Sequence, residues 1–248
     1  VKTHADEKGC WELQITTPAA SFEEYTLTLT DGEQSVTLQH LLIGEVWLCA
    51  GQSNMVMPLN GFDYCPISDS NNVIADAPNH PGIRMVTIKP TVKLSPQEYA
   101  EGSWQQPTTE NAPKFSAAAY HYALTLQRTL QIPIGVITCA WGGSRVEGWL
   151  PKEILQTYKD EDLTLIGSDK TPVYLQSMLM YNGILYPCHK YTIKGFIWYQ
   201  GESNVRSSRT YAERLATMVK HWRSIWKQGD LPFYYVETVP FACEYKED

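Results

Sequence analysis

The sequence predicts an α/β fold of three layers, with helices on both faces of a five-stranded parallel sheet. Three observations carry that reading. Five short runs, 46–50, 83–88, 134–140, 195–199 and 233–239, read as strands, and 46–50 is apolar along nearly its whole length, as a strand buried on both faces must be. Helical or long connections separate them, which parallel neighbours require and antiparallel hairpins do not. Two of the connections, 115–130 and the stretch behind Thr210, switch to three-to-four spacing and so have one apolar helical face.

The first 43 residues differ from the rest. Trp11, Leu13 and Ile15, then Tyr25, Leu27 and Leu29, then Val36 and Leu38 alternate with the two-residue period of half-buried strands, and Asp31-Gly32 is a hairpin signal. Residues 1–43 are therefore expected to form a small antiparallel β segment, the end of a sandwich or a flap, and 44–248 the main domain. The run 46–50 stops at Gly51, with Gln52, Ser53 and Asn54 behind it. A long loop, 58–81, carries Asn71-Asn72, and loops of that length inside a compact domain are commonly functional. After the strand 83–88, residues 90–113 are irregular, with Trp104 in a polar setting. Phe115, Ala118, Ala119, Tyr122, Leu126 and Leu130 mark the next helix, which Pro133 stops.

The run 134–140 ends in Trp141-Gly142-Gly143-Ser144-Arg145. Trp149-Leu150-Pro151 opens a short helix, 160–170 reads as a charged surface loop, and 173–186 is helical in composition up to Pro187. The run 195–199 ends in Gln200-Gly201-Glu202-Ser203-Asn204. Thr210 with Glu213 has the spacing of a capping box, and Tyr211, Leu215, Met218, Val219, Trp222, Ile225 and Trp226 share the apolar face of the helix behind it, which Gly229 ends.

Composition narrows the function. A net charge of −7 without a Lys/Arg cluster argues against a nucleic-acid partner, and no run approaches the length of a membrane span. The eight Trp and fifteen Tyr suit sugar stacking and suit a filled core equally. The six cysteines contain no C-x-x-C pair, so neither a zinc ribbon nor a redox motif is supported and no metal is expected. Cys49 and Cys139 lie in strand runs and read as core. Cys10, Cys65, Cys188 and Cys243 are available to pair in an exported protein.

Three of the strand runs, ending at Ala50, Ala140 and Tyr199, each deliver a polar, glycine-bearing cluster to the same edge of the sheet, where ligands of open α/β sheets bind. Any one cluster would pass for a tight turn. Their convergence is the reason to read Ser53 as a nucleophile. A serine hydroxyl needs a base beside it and donors aimed at the developing oxyanion. The amide of Ser53, a glycine amide at Gly142 or Gly143 and the side chain of Asn204 are the candidate donors. Arg145 and Arg206 follow two of the turns closely, and each is a candidate for a sugar carboxylate or for an ordinary ion pair.

Gly51-Gln52-Ser53-Asn54-Met55, Trp141-Gly142-Gly143-Ser144 and Trp198-Tyr199-Gln200-Gly201-Glu202-Ser203-Asn204 together resemble the sialate O-acetylesterase family of SGNH-type hydrolases, in order and spacing across roughly residues 35–240. The resemblance implies a three-layer fold, flavodoxin-like in outline, and a serine esterase that removes O-acetyl groups from sugars without metal or cofactor. It assigns the nucleophile to Ser53, an oxyanion glycine to Gly143 or its neighbour, and a polar role to 200–204, leaving open which of Gln200, Glu202 and Asn204 faces the oxyanion. Gln52 and Gly142 are further site candidates. An acetylxylan esterase, another carbohydrate deacetylase or a glycan-binding protein that is catalytically incomplete are the alternatives, because loops such as 58–81 and 90–113 set substrate preference.

The sequence departs from the family in one respect. Such hydrolases resemble one another in an Asp-x-x-His after the last strand, and here no histidine has an aspartate three positions before it. His4 and His40 belong to the N-terminal β segment, His121 and His221 sit within helices, and His80 and His189 lie beside prolines in loops, so none follows a strand of the sheet. The chain is therefore expected to stop short of the Asp-x-x-His block. An O-acetylated carbohydrate as partner implies a secreted or periplasmic protein, and the oligomeric state is left open.

Overall fold

The computed structural model describes residues 1–239. Alternation in the N-terminal stretch produces a two-stranded antiparallel sheet, β1 (Ser21–Thr30) against β2 (Ser35–Ile43). Its turn is pinned by Asp31, whose carboxylate accepts from the amides of Glu33 (2.9 Å) and Gln34 (2.7 Å). The alternating residues Trp11, Leu13 and Ile15 form no strand. They have no ladder partner among the described residues, and Trp11 and Ile15 remain about half exposed.

The main sheet holds five parallel strands: β3 (Glu45–Gly51), β4 (Ile83–Thr87), β5 (Ile134–Ala140), β6 (Gly195–Tyr199) and β7 (Phe233–Tyr235). They lie in the order β4-β5-β3-β6-β7. Counted within this sheet the order is 2-3-1-4-5, so the third strand is inserted between the first two, unlike the 2-1-3-4-5 of flavodoxin itself. The first strand thus has β5 on one side and β6 on the other. Gly51 is in register with both Ala140 and Tyr199, which brings the three polar clusters to neighbouring strand ends.

Period-two alternation divides the strand residues between two cores. Leu48, Ala50, Ile137, Cys139, Phe196 and Trp198 face one side, Trp47, Cys49, Val136 and Ile197 the other. The first face is covered by the helix Ser208–Trp226, whose Met218, Trp222 and Trp226 are buried, and there Trp149, Trp198 and Trp222 pack edge to face with centroids 5.7–6.5 Å apart. The second is covered by the helix Ala117–Leu130 through Tyr120, Ala123 and Leu124. The helices are α1 (Ser53–Val56), α2 (Ser70–Asp76), α3 (Ala117–Leu130), α4 (Lys152–Leu155) and α5 (Ser208–Trp226). Ser116 caps α3 by accepting from the amide of Ala119 at 3.2 Å.

Four segments depart from the sequence expectation. The loop 58–81 contains α2, held against the domain by the half-buried Val73 and Ile74 and by an ion pair of Asp76 with Arg128 at 3.5 Å. The stretch 173–186 is not one helix. It breaks at 176–178, where the Gln176 side chain turns back to the amide of Gly167 and the carbonyls of Ser168 and Thr171, and Met178 takes a φ of 60°. Helix α5 starts at Ser208 rather than at Thr210, whose hydroxyl donates to the carbonyl of Ser207, so the capping box does not form. The last strand ends at Tyr235 instead of 239. Cys188 lies 3.9 Å, sulfur to sulfur, from Cys139 in the core, while Cys10 and Cys65 are exposed and free; Cys243 is outside the described residues.

Candidate active site

Gly51 makes the close approach at the centre of the sheet possible. Its φ is 147°, and a Cβ there would sit 2.1 Å from the carbonyl oxygen of Tyr199, so no side chain fits. Two further backbone bonds keep the strands together beyond the ladder, Gln52 N–H to the Tyr199 carbonyl and Trp141 N–H to the Gly51 carbonyl, both 3.0 Å. Ser53 follows as the first residue of α1, partly exposed, its hydroxyl without a hydrogen-bond partner among the described residues. The loop after β5 runs beside it: a Cβ on Gly142 would lie 3.9 Å from the Ser53 Cβ. The backbone N–H groups of Ser53, Gly142 and Gly143 donate to nothing among the described residues. A hydroxyl and three uncommitted amides therefore share one small region, and Gly143, at φ 76°, takes a conformation that L side chains rarely adopt.

The remaining polar residues of the three clusters brace this region. Gln52, 4% exposed, accepts through Oε1 from the amides of Gly201 and Ser203, each at 3.3 Å. Asn54 donates to Glu202 at 2.6 Å, while the second carboxylate oxygen of Glu202 is buried without a partner among the described residues. Gln200 donates to the Ser144 carbonyl at 3.0 Å and to Asn204 Oδ1 at 2.7 Å, and accepts from the Tyr211 hydroxyl at 2.9 Å. Burial pushes that phenol up to about 12, so it remains a donor. Asn204, expected among the oxyanion donors, is otherwise engaged. Its Oδ1 accepts from Val146 N–H at 2.9 Å, and its amide hydrogens go to the Glu147 carboxylate (3.0 Å) and the Ser207 hydroxyl (3.3 Å).

Behind Asn204 lies a buried ion network. Glu147, fully buried, binds Arg214 of α5, which also reaches Asp160 at 2.6 Å. Arg145 donates to Glu161 at 2.7 Å and to the Leu175 carbonyl at 3.0 Å, and lies 3.7 Å from Glu147. The Ser177 hydroxyl donates to Glu161 as well. Arg145 thus spends its fork on an internal clamp and not on a sugar carboxylate, whereas Arg206 is exposed. The loop 160–170 is not merely surface, because its carboxylates neutralise the buried guanidinium of Arg214 and the half-buried one of Arg145.

None of the six histidines is hydrogen-bonded to Ser53. His40 pairs with Glu24, His80 with Asp76 and His221 with the Tyr181 hydroxyl, each at 2.8 Å, and His189 donates to the Tyr186 carbonyl. His4 and His121 are exposed. His80 and His189 precede β4 and β6, which puts them at the opposite edge of the sheet from Ser53. Among the described residues no three His, Cys, Asp or Glu side chains are grouped to hold a metal ion, and no helix is long and apolar enough to cross a membrane.

The family of carbohydrate esterases described as sialic acid-specific acetylesterases matches residues 43–247. The chain belongs to that family. Within the sialic acid-specific acetylesterases it is 27% identical over 241 residues to the sialate O-acetylesterases of Pongo abelii and Homo sapiens, alignments that cover 92% of this chain and 45% of each relative. The chain thus spans about half the length of these relatives. A carbohydrate acetylesterase from Xanthomonas citri of known structure superposes with a TM-score of 0.80 at 30% identity, over 93% of this chain and 49% of that one.

In this acetylesterase-family chain, Ser53, Gly142, Gly143, Gln52, Gln200, Glu202 and Asn204 are the candidates the sequence singles out, whereas the residues that brace them are not among its candidates. Arg214 had a legible signal: it is a charge inside the apolar face formed by Tyr211, Leu215 and Met218. Glu147 had a weaker one, a lone carboxylate just ahead of Trp149-Leu150. Tyr174, whose ring lies against Gly143, had none, because the contact spans separate loops.

Proposed function

We propose that the chain is the nucleophile-bearing part of a serine esterase that removes O-acetyl groups from sugars, sialic acids among them. The observation that carries the reading is the juxtaposition of an unbonded Ser53 hydroxyl with the free amides of Ser53, Gly142 and Gly143. In the reaction, Ser53 Oγ attacks the acetyl carbonyl carbon, and the amides stabilise the oxyanion that forms. The bond to the sugar oxygen breaks as that oxygen takes up the serine proton, leaving an acetyl-serine. Water then adds to it, freeing acetate and the hydroxyl. Both steps pass a proton through a base. No described histidine is bonded to Ser53, so we assign the base to another part of the full-length protein. Family membership and the activities for which the relatives are named support acetylated sugar as the substrate, and a sugar ester of that kind agrees with an exported protein.

The same histidine placement favours a second reading, a glycan-binding protein without turnover. One experiment separates them. Acetate release from O-acetylated sialic acid and from glycerol triacetate is measured with the full-length protein and with Ser53→Ala. The esterase reading expects turnover that Ser53→Ala lowers by about 10⁴-fold or more. Turnover unaffected by Ser53→Ala removes the serine from its role, and sugar binding without any acetate release establishes the second reading.

A further inference from the structure

One aromatic side chain beside the serine keeps an open surface. Tyr174, in a short 3-10 turn (Val173–Leu175), rests one edge of its ring on Gly143: a Cβ there would lie 2.8 Å from Cδ2 and 3.0 Å from Cε2. Yet the residue is 40% exposed, and its hydroxyl has no hydrogen-bond partner among the described residues. A tyrosine placed only for packing would be buried, and one placed for its hydroxyl would be bonded. The turn itself is held on both sides. Arg145 Nε donates to the Leu175 carbonyl, and the Gln176 side chain, 3% exposed, ties down Gly167, Ser168 and Thr171. A fixed, half-open ring thus rests on Gly143, the neighbour of Gly142, where an added Cβ would lie 3.9 Å from the Ser53 Cβ.

We infer that Tyr174 is the platform on which the pyranose ring of the substrate rests while its acetyl ester reaches Ser53. The inference rests on the esterase reading and adds to it where the sugar lies. A pyranose has an apolar face of C–H groups that an aromatic ring covers without a polar partner, which accounts for a ring left open and a hydroxyl left unused. Because Tyr174 rests on Gly143 and its hydroxyl is engaged in no hydrogen bond among the described residues, it bears on which alcohol is held and not on the bond that is cut.

The test has a binding arm and a turnover arm, both on the full-length protein. In the binding arm, O-acetylated sialic acid is titrated into Ser53→Ala and into the double variant Ser53→Ala/Tyr174→Ala by calorimetry. The platform expects Kd to weaken by about 10-fold, the scale of losing one stacked ring, and to be retained by Ser53→Ala/Tyr174→Phe. In the turnover arm, Tyr174→Ala raises KM for the acetylated sugar by a similar factor with kcat nearly unchanged, while hydrolysis of glycerol triacetate, which has no ring, stays within 2-fold. An unchanged Kd overturns the platform, as does an equal loss on both esters, which makes the ring a packing element only. A wild-type protein that releases no acetate sinks the esterase reading, while the binding arm still decides whether Tyr174 holds the sugar.

Discussion

Gly142 and Gly143 are adjacent in sequence and carry opposite constraints. A methyl group on Gly142 would meet Ser53 at ordinary contact distance, whereas one on Gly143 would be strained at φ 76° and would press into the Tyr174 ring. Gly143→Ala is therefore expected to cost about 1–2 kcal/mol of stability, from the left-handed conformation alone. It is also expected to lower kcat about 100-fold, because displacing a positioned donor by an ångström is costly. Gly142→Ala should leave the melting temperature nearly unchanged and alter only turnover, through a methyl group placed beside the nucleophile. Paired thermal denaturation and kinetics on the two variants check this, and equal melting temperatures would contradict it. Asn204 shows the same principle for a polar side chain. Its position in the third cluster is evident from sequence, but the nearby Glu147 carboxylate and Ser207 hydroxyl take its amide hydrogens.

At the level of elements, α5 does more than cover one sheet face. Arg214 projects from its apolar side, 2% exposed, and joins the helix to Glu147 in the loop behind Gly143 and to the 160–161 segment. Removing Arg214 leaves the buried Glu147 carboxylate with the more distant Arg145, 3.7 Å away, as its remaining cation, a loss of about 3 kcal/mol, whereas removing both charges is far less costly. Arg214→Met should thus lower the melting temperature by roughly 10 °C, at about 2–4 °C per kcal/mol for a chain of this size. Adding Glu147→Gln should restore part of the loss, and calorimetry on the single and double variants reads it directly. The failure of 173–186 to form one helix has a similar origin. Helical composition is a local property, and the buried amide of Gln176 found three backbone partners outside any helix.

For the whole molecule, His221 gives the fold an acid-side weakness. It lies on α5 against the Tyr181 hydroxyl, and burial holds its pKa below the ordinary value despite the pull of Glu153. An unfolded histidine binds its proton near pH 6.5, so just below that pH the unfolded chain holds more protons than the folded one. Stability from this group is complete above about pH 6.5 and is lost as the pH falls towards its depressed folded value. His221→Asn, which keeps an acceptor for Tyr181, should flatten the fall in urea midpoint between pH 7 and pH 5. An unchanged slope would show that other groups govern it.

The sequence by itself determined the strands, the two covering helices and the three polar clusters, because burial on both faces imposes apolar runs, close backbone approach imposes glycine at 51 and a left-handed φ favours it at 143. Local patterns of that kind are written in neighbouring residues. Tertiary structure alone decided the strand order that sets β3 between β5 and β6, the diversion of Asn204 and Arg145 into a buried ion network, and the meeting of Tyr174 with Gly143. Each of those depends on which distant groups compete for the same hydrogen bond or the same space, and that competition exists only once the chain has closed on itself.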